Sequence, residues 1–227
     1  MKSLLILGAG GFGHMIQEMA GILGYEKAVF LDDAVKGADV VGKCCDYRAF
    51  VKNYDTAVAA LGDNGMRLYW TEKLMEAGYH VPPMIHPSAV VSPSAVIGNG
   101  TFVMQGAVVN THTVVEHGVL INSGAVVDHD SYVGCGAHIG LNSVVKANCK
   151  IDSKRKVEAG EVVFSTRRKI DGVTNRNLED ALYAFGFGNQ CSYVKPFGQG
   201  HINETYAVYM PTDAGDEFAY ILQRVNN

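Results

Sequence analysis

No block of basic residues interrupts this 227-residue chain, whose formal net charge is −4 and whose isoelectric point is about 6.0. The electrostatic footprint of a nucleic-acid binder is therefore missing. Long apolar runs are missing as well. The one that opens the chain, Met1 to Gly8, is too short for a signal peptide, and nothing approaches the ~18 residues of a membrane span. Five cysteines, Cys44, Cys45, Cys135, Cys149 and Cys191, form an odd set without CxxC spacing, which argues against disulfides and against a zinc site. What remains is ordinary globular composition, 48% hydrophobic and 19% charged. Such a chain is expected in the cytoplasm with its thiols reduced.

Residues 1–82 alternate strand-like and helix-like runs. "SLLILGAG", "KAVFLDD" and "DTAVAALGD" read as strands, while "GHMIQEMAGIL" and "GMRLYWTEKLMEAG" have helical spacing, the second stopping at Gly78. That order predicts a small parallel α/β sheet of Rossmann-like type. Between the first strand and helix lies Gly8-Ala9-Gly10-Gly11-Phe12-Gly13, where backbone N–H groups and the helix dipole can hold a phosphate. Asp32 or Asp33, ending the second strand, stands where a ribose contact is expected. The same pattern serves NAD, and a glycine turn can also be purely structural. A dinucleotide needs two such halves, however, and only one precedes residue 83, so a single nucleotide suits the zone best.

From Ile85 onward every sixth residue is aliphatic: Val91, Ile97, Val103, Val109, Val115, Ile121, Val127, Val133, Ile139, Val145, Ile151, Val157 and Val163. The position two residues earlier is usually small, as at Ala89, Ala107, Ala125, Ser131, Ala137 and Ser143. Such a hexad predicts short strands and tight corners wound as a parallel β-helix over residues 83–170, three hexads to a coil, with the aliphatics pointing inward. Each coil leaves its ends apolar, so stability must come from stacking. His129 falls two residues past an inward Val127, hence near a corner and not in the core. It is flanked by Asp128 and Asp130. A carboxylate bonded to one ring nitrogen fixes the tautomer and raises the basicity of the other, which is what a general base requires.

The hexads, the glycine loop, Leu31-Asp32-Asp33, Gly62-Asp63-Asn64 with Arg67, and Asn122…Asp128-His129-Asp130 together resemble one family. It is that of the hexapeptide-repeat sugar acetyltransferases, which acetylate UDP-linked amino-sugars in bacterial glycan synthesis, with sialic-acid O-acetyltransferases as relatives. The resemblance spans about residues 2 to 170. It implies a left-handed β-helix, a homotrimer with active sites between subunits, acetyl-CoA as cosubstrate and no metal. It implies His129 as general base, with Asp130 favoured over Asp128 as the carboxylate that orients the ring. It further implies Gly8, Gly10, Gly11, Gly13, Asp32, Asp33, Asn64 and Asn122 at the nucleotide-sugar, and His138 and Ala147 at the coenzyme. The last hexads are one coil short of the family pattern, with Ala147 and Asp152 where glycines are common. N-acetylation of a UDP-amino-sugar is the leading expectation. O-acetylation of a sugar or sialic acid, or a weakly active scaffold that kept the fold, are the alternatives.

Residues 171–227 follow neither pattern. "NLEDALYAFGF" reads as a short helix, and Gly198-Gln199-Gly200-His201-Ile202-Asn203 as a glycine-rich loop. "TYAVYM" and "FAYILQRV", joined by the turn-rich "PTDAGDE", read as a β-hairpin. This wording resembles the start of an aminoglycoside-phosphotransferase-like sugar kinase without its catalytic lobe, so the expectation is the front of an acetyltransferase–kinase fusion or a chain truncated there, with a plain structural hairpin as the alternative.

Overall fold

The computed structural model describes residues 2–164, 172–173, 178, 181–182, 185, 187, 190–198 and 204–224. Two compact units emerge, Met1–Ser165 and Thr166–Asn227. The two N-terminal zones of the sequence thus pack as one body.

That body opens with β1 (Ser3–Leu7), α1 (Gly11–Ile22), β2 (Lys27–Leu31), β3 (Val40–Gly42), a 3-10 helix (Cys44–Phe50), β4 (Thr56–Ala59) and α2 (Asn64–Glu76). The four strands form a parallel sheet in the order β3-β2-β1-β4. Alternation along β1 divides its side chains: Leu4 and Ile6 meet α1 residues such as Ile16 and Met19, whereas Leu5 and Leu7 meet Tyr47, Leu74 and Tyr79. The expected strands and helices are present. The 3-10 helix and β3 lacked a sequence signal, being short and only partly buried.

Fourteen two-residue strands follow, β5 (Met84–Ile85) through β18 (Val162–Val163). They stack as one four-stranded and two five-stranded parallel sheets, each residue pairing with the one 18 positions on, as Val108 with Val126 and Val126 with Val144. The second residue of every strand is the inward aliphatic of the hexad. From Val103 to Val163 these are at most 7% exposed, and the partly buried Ile85, Val91 and Ile97 close the first coil. Burying each contributes roughly 1.5–3 kcal/mol before chain entropy is counted.

The three outward faces differ. One carries the column Met84, Phe102, Leu120, His138, Lys156. Its first three members are buried against the α1 side of the sheet, and the column turns polar where that cover ends. A second carries Val90, Val108, Val126, Val144 and Val162, and a third Val96, Val114, Tyr132 and Lys150. Helix α2 lies over the corner holding Gly118 and Gly136. At Gly136, φ is 67° and an added Cβ would stand 2.9 Å from the Leu68 Cβ, so only glycine fits under the helix.

The second unit holds an antiparallel sheet of β19 (Tyr193–Pro196), β20 (Glu204–Thr212) and β21 (Gly215–Arg224). The hairpin is longer than its sequence suggests. Pro211 and Thr212 still pair with Asp216 and Gly215, because Thr212 Oγ1 binds the Gly215 carbonyl and the Ala214 N–H and closes a tight turn. Residues 199–203 of the glycine-rich loop and most of the expected helix lie outside the described residues. Among the described residues, no helix is long and apolar enough to cross a membrane.

Candidate active site

His129 occupies the corner between the second and third outward faces, just past the strand Val126–Val127. Its Nδ1 lies 2.7 Å from Asp130 Oδ2, which leaves Nε2 free on an exposed ring. Asp130 reaches this position because its own backbone is left-handed, with φ of 54°, a conformation that aspartate tolerates better than most residues. Asp128 points elsewhere: its Oδ1 accepts the His129 backbone N–H at 2.9 Å and the Asn110 amide at 2.9 Å. Asp130 therefore holds the ring, while Asp128 holds the turn. The other Asp130 oxygen lies 3.3 Å from Nδ1 of His112, one coil below and also left-handed.

The hydrogen bond that Asp130 accepts from the ring raises the pKa of His129 above the usual histidine value, with partial burial opposing it. His138 goes the other way. It is half-buried on the first face, and burial foremost, then the charges of Arg67 and Lys156, lowers it to about 4. Its Nε2 accepts from Asn122 Nδ2 at 3.2 Å, so it remains a neutral hydrogen-bonding group through the physiological range. The surroundings thus push the two histidines apart: Asp130 favours the protonated ring of His129, while burial favours the neutral ring of His138.

The glycine loop lies at the C-terminal end of β1, beside the end of β4, where the strand order reverses and α/β sheets bind ligands. An added Cβ at Gly13 would meet the Gly8 carbonyl oxygen at 2.0 Å, so helix and loop touch there, whereas Gly10 and Gly11 face open space. Asp32 secures the loop by accepting the Ala9 N–H at 2.7 Å, and those of Ala34 and Val35. Burial acts to raise its carboxyl pKa, but these three bonds outweigh it and leave Asp32 below the usual range. Asp33 accepts the Cys44 N–H.

The PglD N-terminal domain family matches residues 3–74. The UDP-N-acetylbacillosamine N-acetyltransferase of Bacillus subtilis (strain 168) is 33% identical over 114 residues, 46% of this chain and 52% of that protein. The chain thus spans about half the length of this curated relative. Among solved structures, the acetyltransferase domain of PglB from Neisseria gonorrhoeae FA1090, in complex with acetyl coenzyme A, is 30% identical. The match covers 72% of this chain and 91% of that one at a TM-score of 0.63. This chain belongs to the sugar N-acetyltransferase family. PerB from Caulobacter crescentus, in complex with CoA and GDP-perosamine, is also 30% identical, covering 73% of this chain and 90% of that one at a TM-score of 0.64.

Within this family member the expected site residues fall into separate groups. Asn122 joins His138 and not His129. Asn64 spends its amide on structure, donating to the Lys154 carbonyl and accepting from Arg67 Nη2. Ala147 stands one coil above His129, in the turn before left-handed Asn148, whose N–H binds the His129 carbonyl. The repeat does not single out His112, because counting one coil back from His129 lands on Thr111. The count that matters starts at Asp130, and 130 minus 18 is 112.

Acetyl transfer at this corner should depend on pH. A base acts when deprotonated, and Asp130 favours the protonated ring, so activity should rise with pH through a midpoint above the ordinary histidine value. In Asp130→Asn that support is gone, and the midpoint of the acid limb should move to lower pH while turnover falls. A kcat/KM profile with an unmoved acid limb would remove Asp130 as the orienting group.

Proposed function

We propose that this protein transfers the acetyl group of acetyl-CoA to the amine of a nucleotide-linked amino-sugar, with a UDP-sugar as the first choice. The observation that carries the reading is the His129–Asp130 pair on a β-helix corner in a chain of this family. The sugar amine attacks the thioester carbonyl, forming the N–C bond as the C–S bond breaks. His129 Nε2 takes the amine proton, and the departing coenzyme thiolate acquires a proton in turn. Asp130 supports the imidazolium that forms, as expected for a base contributing about 10²–10⁴ in rate. The open backbone at Gly10 and Gly11, opening α1 without a side-chain cap, suits the nucleotide phosphates. His138 and Asn122, beside the buried Arg67 at the rim of the α/β layer, suit the transferred group's surroundings. Relatives bound to acetyl coenzyme A, CoA and GDP-perosamine support both halves of the reading.

The working particle on this reading is a homotrimer. Val90, Val96 and Val162 are 62%, 57% and 44% exposed on the two uncovered faces, and His129 sits on the edge between those faces. A neighbouring prism that covers the valines would bring its own coils to His129. The five free cysteines suit a reducing compartment, which supports a reaction in the cytoplasm.

The test follows release of free CoA thiol from acetyl-CoA on addition of UDP-, GDP- and CMP-linked amino-sugars, with sialic acid as the hydroxyl acceptor. Release with a nucleotide amino-sugar is expected, from a particle scattering as three copies of the 24.4 kDa chain. Release with sialic acid alone would convert the reading to O-acetylation. No release with any acceptor would end it.

A further inference from the structure

At a different corner, between the third face and the first and beneath α2, stands a cluster that the proposed acetyl transfer does not use. Glu116 and His117 follow the strand Val114–Val115, and Cys135 lies one coil above His117. One ligand atom from each falls within 4.8 Å of the others. His117 Nδ1 is 3.6 Å from Cys135 Sγ and 4.0 Å from Glu116 Oε2. The far side of the ring is also occupied: His117 Nε2 lies 3.4 Å from Glu72 Oε1 on α2. A second bond, from Tyr132 OH at 3.2 Å, engages the other Glu116 oxygen.

A tetrahedral zinc ion with sulfur at ~2.3 Å and nitrogen at ~2.0–2.1 Å separates those two atoms by about 3.6 Å, and its nitrogen and oxygen ligands by about 3.3 Å. The sulfur–nitrogen distance already matches. The oxygen distance closes by a small rotation of Glu116, whose side chain is 36% exposed. Glu72 supplies what metal-binding histidines commonly have, a carboxylate on the other ring nitrogen that keeps the proton there and leaves the ligating nitrogen bare. We propose that Glu116, His117 and Cys135 form a binding site for a divalent borderline-soft cation, zinc foremost, with water as fourth ligand and Glu72 as the carboxylate behind His117.

The donor set mixes thiolate, imidazole and carboxylate, which selects zinc or cobalt over magnesium or calcium. No CxxC announces the site, because the β-helix brings ligands together at a spacing of 18 residues and the helix adds the fourth group from afar. Binding displaces the Cys135 thiol proton to solvent, so affinity should increase with pH.

The experiment titrates cobalt(II) into chelator-treated, tag-free full-length protein and watches the thiolate-to-cobalt absorption, with zinc added afterwards as competitor. One equivalent per chain should produce the band, and zinc should abolish it. Cys135→Ser and His117→Ala should lose it, whereas the exposed-cysteine control Cys45→Ser and the active-site variant His129→Ala should keep it. Glu72→Gln should weaken binding by about 10–100-fold with the band retained. Should Cys135→Ser not fold, protection of Cys135 from alkylation by zinc in the wild type decides. A band that survives Cys135→Ser, or wild-type protein showing neither band nor protection, overturns the proposal.

Discussion

His129→Ala should lower acetyl-transfer turnover by about 10²–10⁴ while shifting the unfolding midpoint hardly at all. The two halves of this expectation rest on different atoms. The ring is 49% exposed and packs into no apolar cluster, so its removal leaves no cavity. What the coil needs from residue 129 is main chain: its carbonyl accepts the Asn148 N–H and its N–H binds Asp128, both of which alanine retains. What the chemistry needs is Nε2, which alanine lacks. His112→Ala is the informative companion. It removes a group 3.3 Å from Asp130 but leaves the His129–Asp130 bond, so its loss of turnover should be far smaller. If His129→Ala keeps near-wild-type turnover, the base lies elsewhere. If His112→Ala loses as much as His129→Ala, the pair is a triad.

The repeat could be read from the chain because the coil imposes one period on every residue that enters it. An inward position recurs at each sixth residue, and an apolar side chain there has no alternative partner. Corners are different. Whether Asp128 or Asp130 meets the imidazole depends on which residue turns left-handed, and hexad spacing says nothing of that. The same holds for His112, whose relation to Asp130 appears only when residues are counted by coil from the correct member of the pair. Asn64 shows a third limit. A polar side chain at the mouth of the α/β layer invites a ligand role, yet its amide bridges Lys154 and Arg67, a contact set by how α2 lies across the β-helix. No local pattern encodes that packing.

Arg67 carries most of it. The guanidinium is wholly buried with no carboxylate of the described residues paired to it, and backbone carbonyls and the Asn64 amide oxygen surround it. It donates to Gly118 at 2.9 Å and to Gly136 and Ala137 at 2.8 and 3.1 Å, across two stacked coils. On the other side it reaches Leu61 and Gly62 at the end of β4, and Asn64. Burial lowers its pKa to about 10, with Asp63 acting against the fall, so it stays protonated at neutral pH. Arg67→Met keeps much of the volume but strands several buried carbonyls, each costing about 1–3 kcal/mol when unsatisfied. The α/β–β-helix unit should lose about 3 kcal/mol or more in denaturant unfolding. Arg67→Lys should recover little, because one ammonium cannot span both coils as the planar fork does. His138 provides a readout that plain destabilisation would not move. Removing the Arg67 charge, the second of the causes that depress its titration, should raise the His138 pKa, followed by NMR of the ring protons. Burial is the larger cause and persists, so the value should stay below that of an ordinary histidine. An Arg67→Met variant within ~0.5 kcal/mol of wild type, the range of ordinary surface substitutions, would mean that α2 is held to the coils by its apolar contacts at Leu68 and Thr71 and not by the guanidinium.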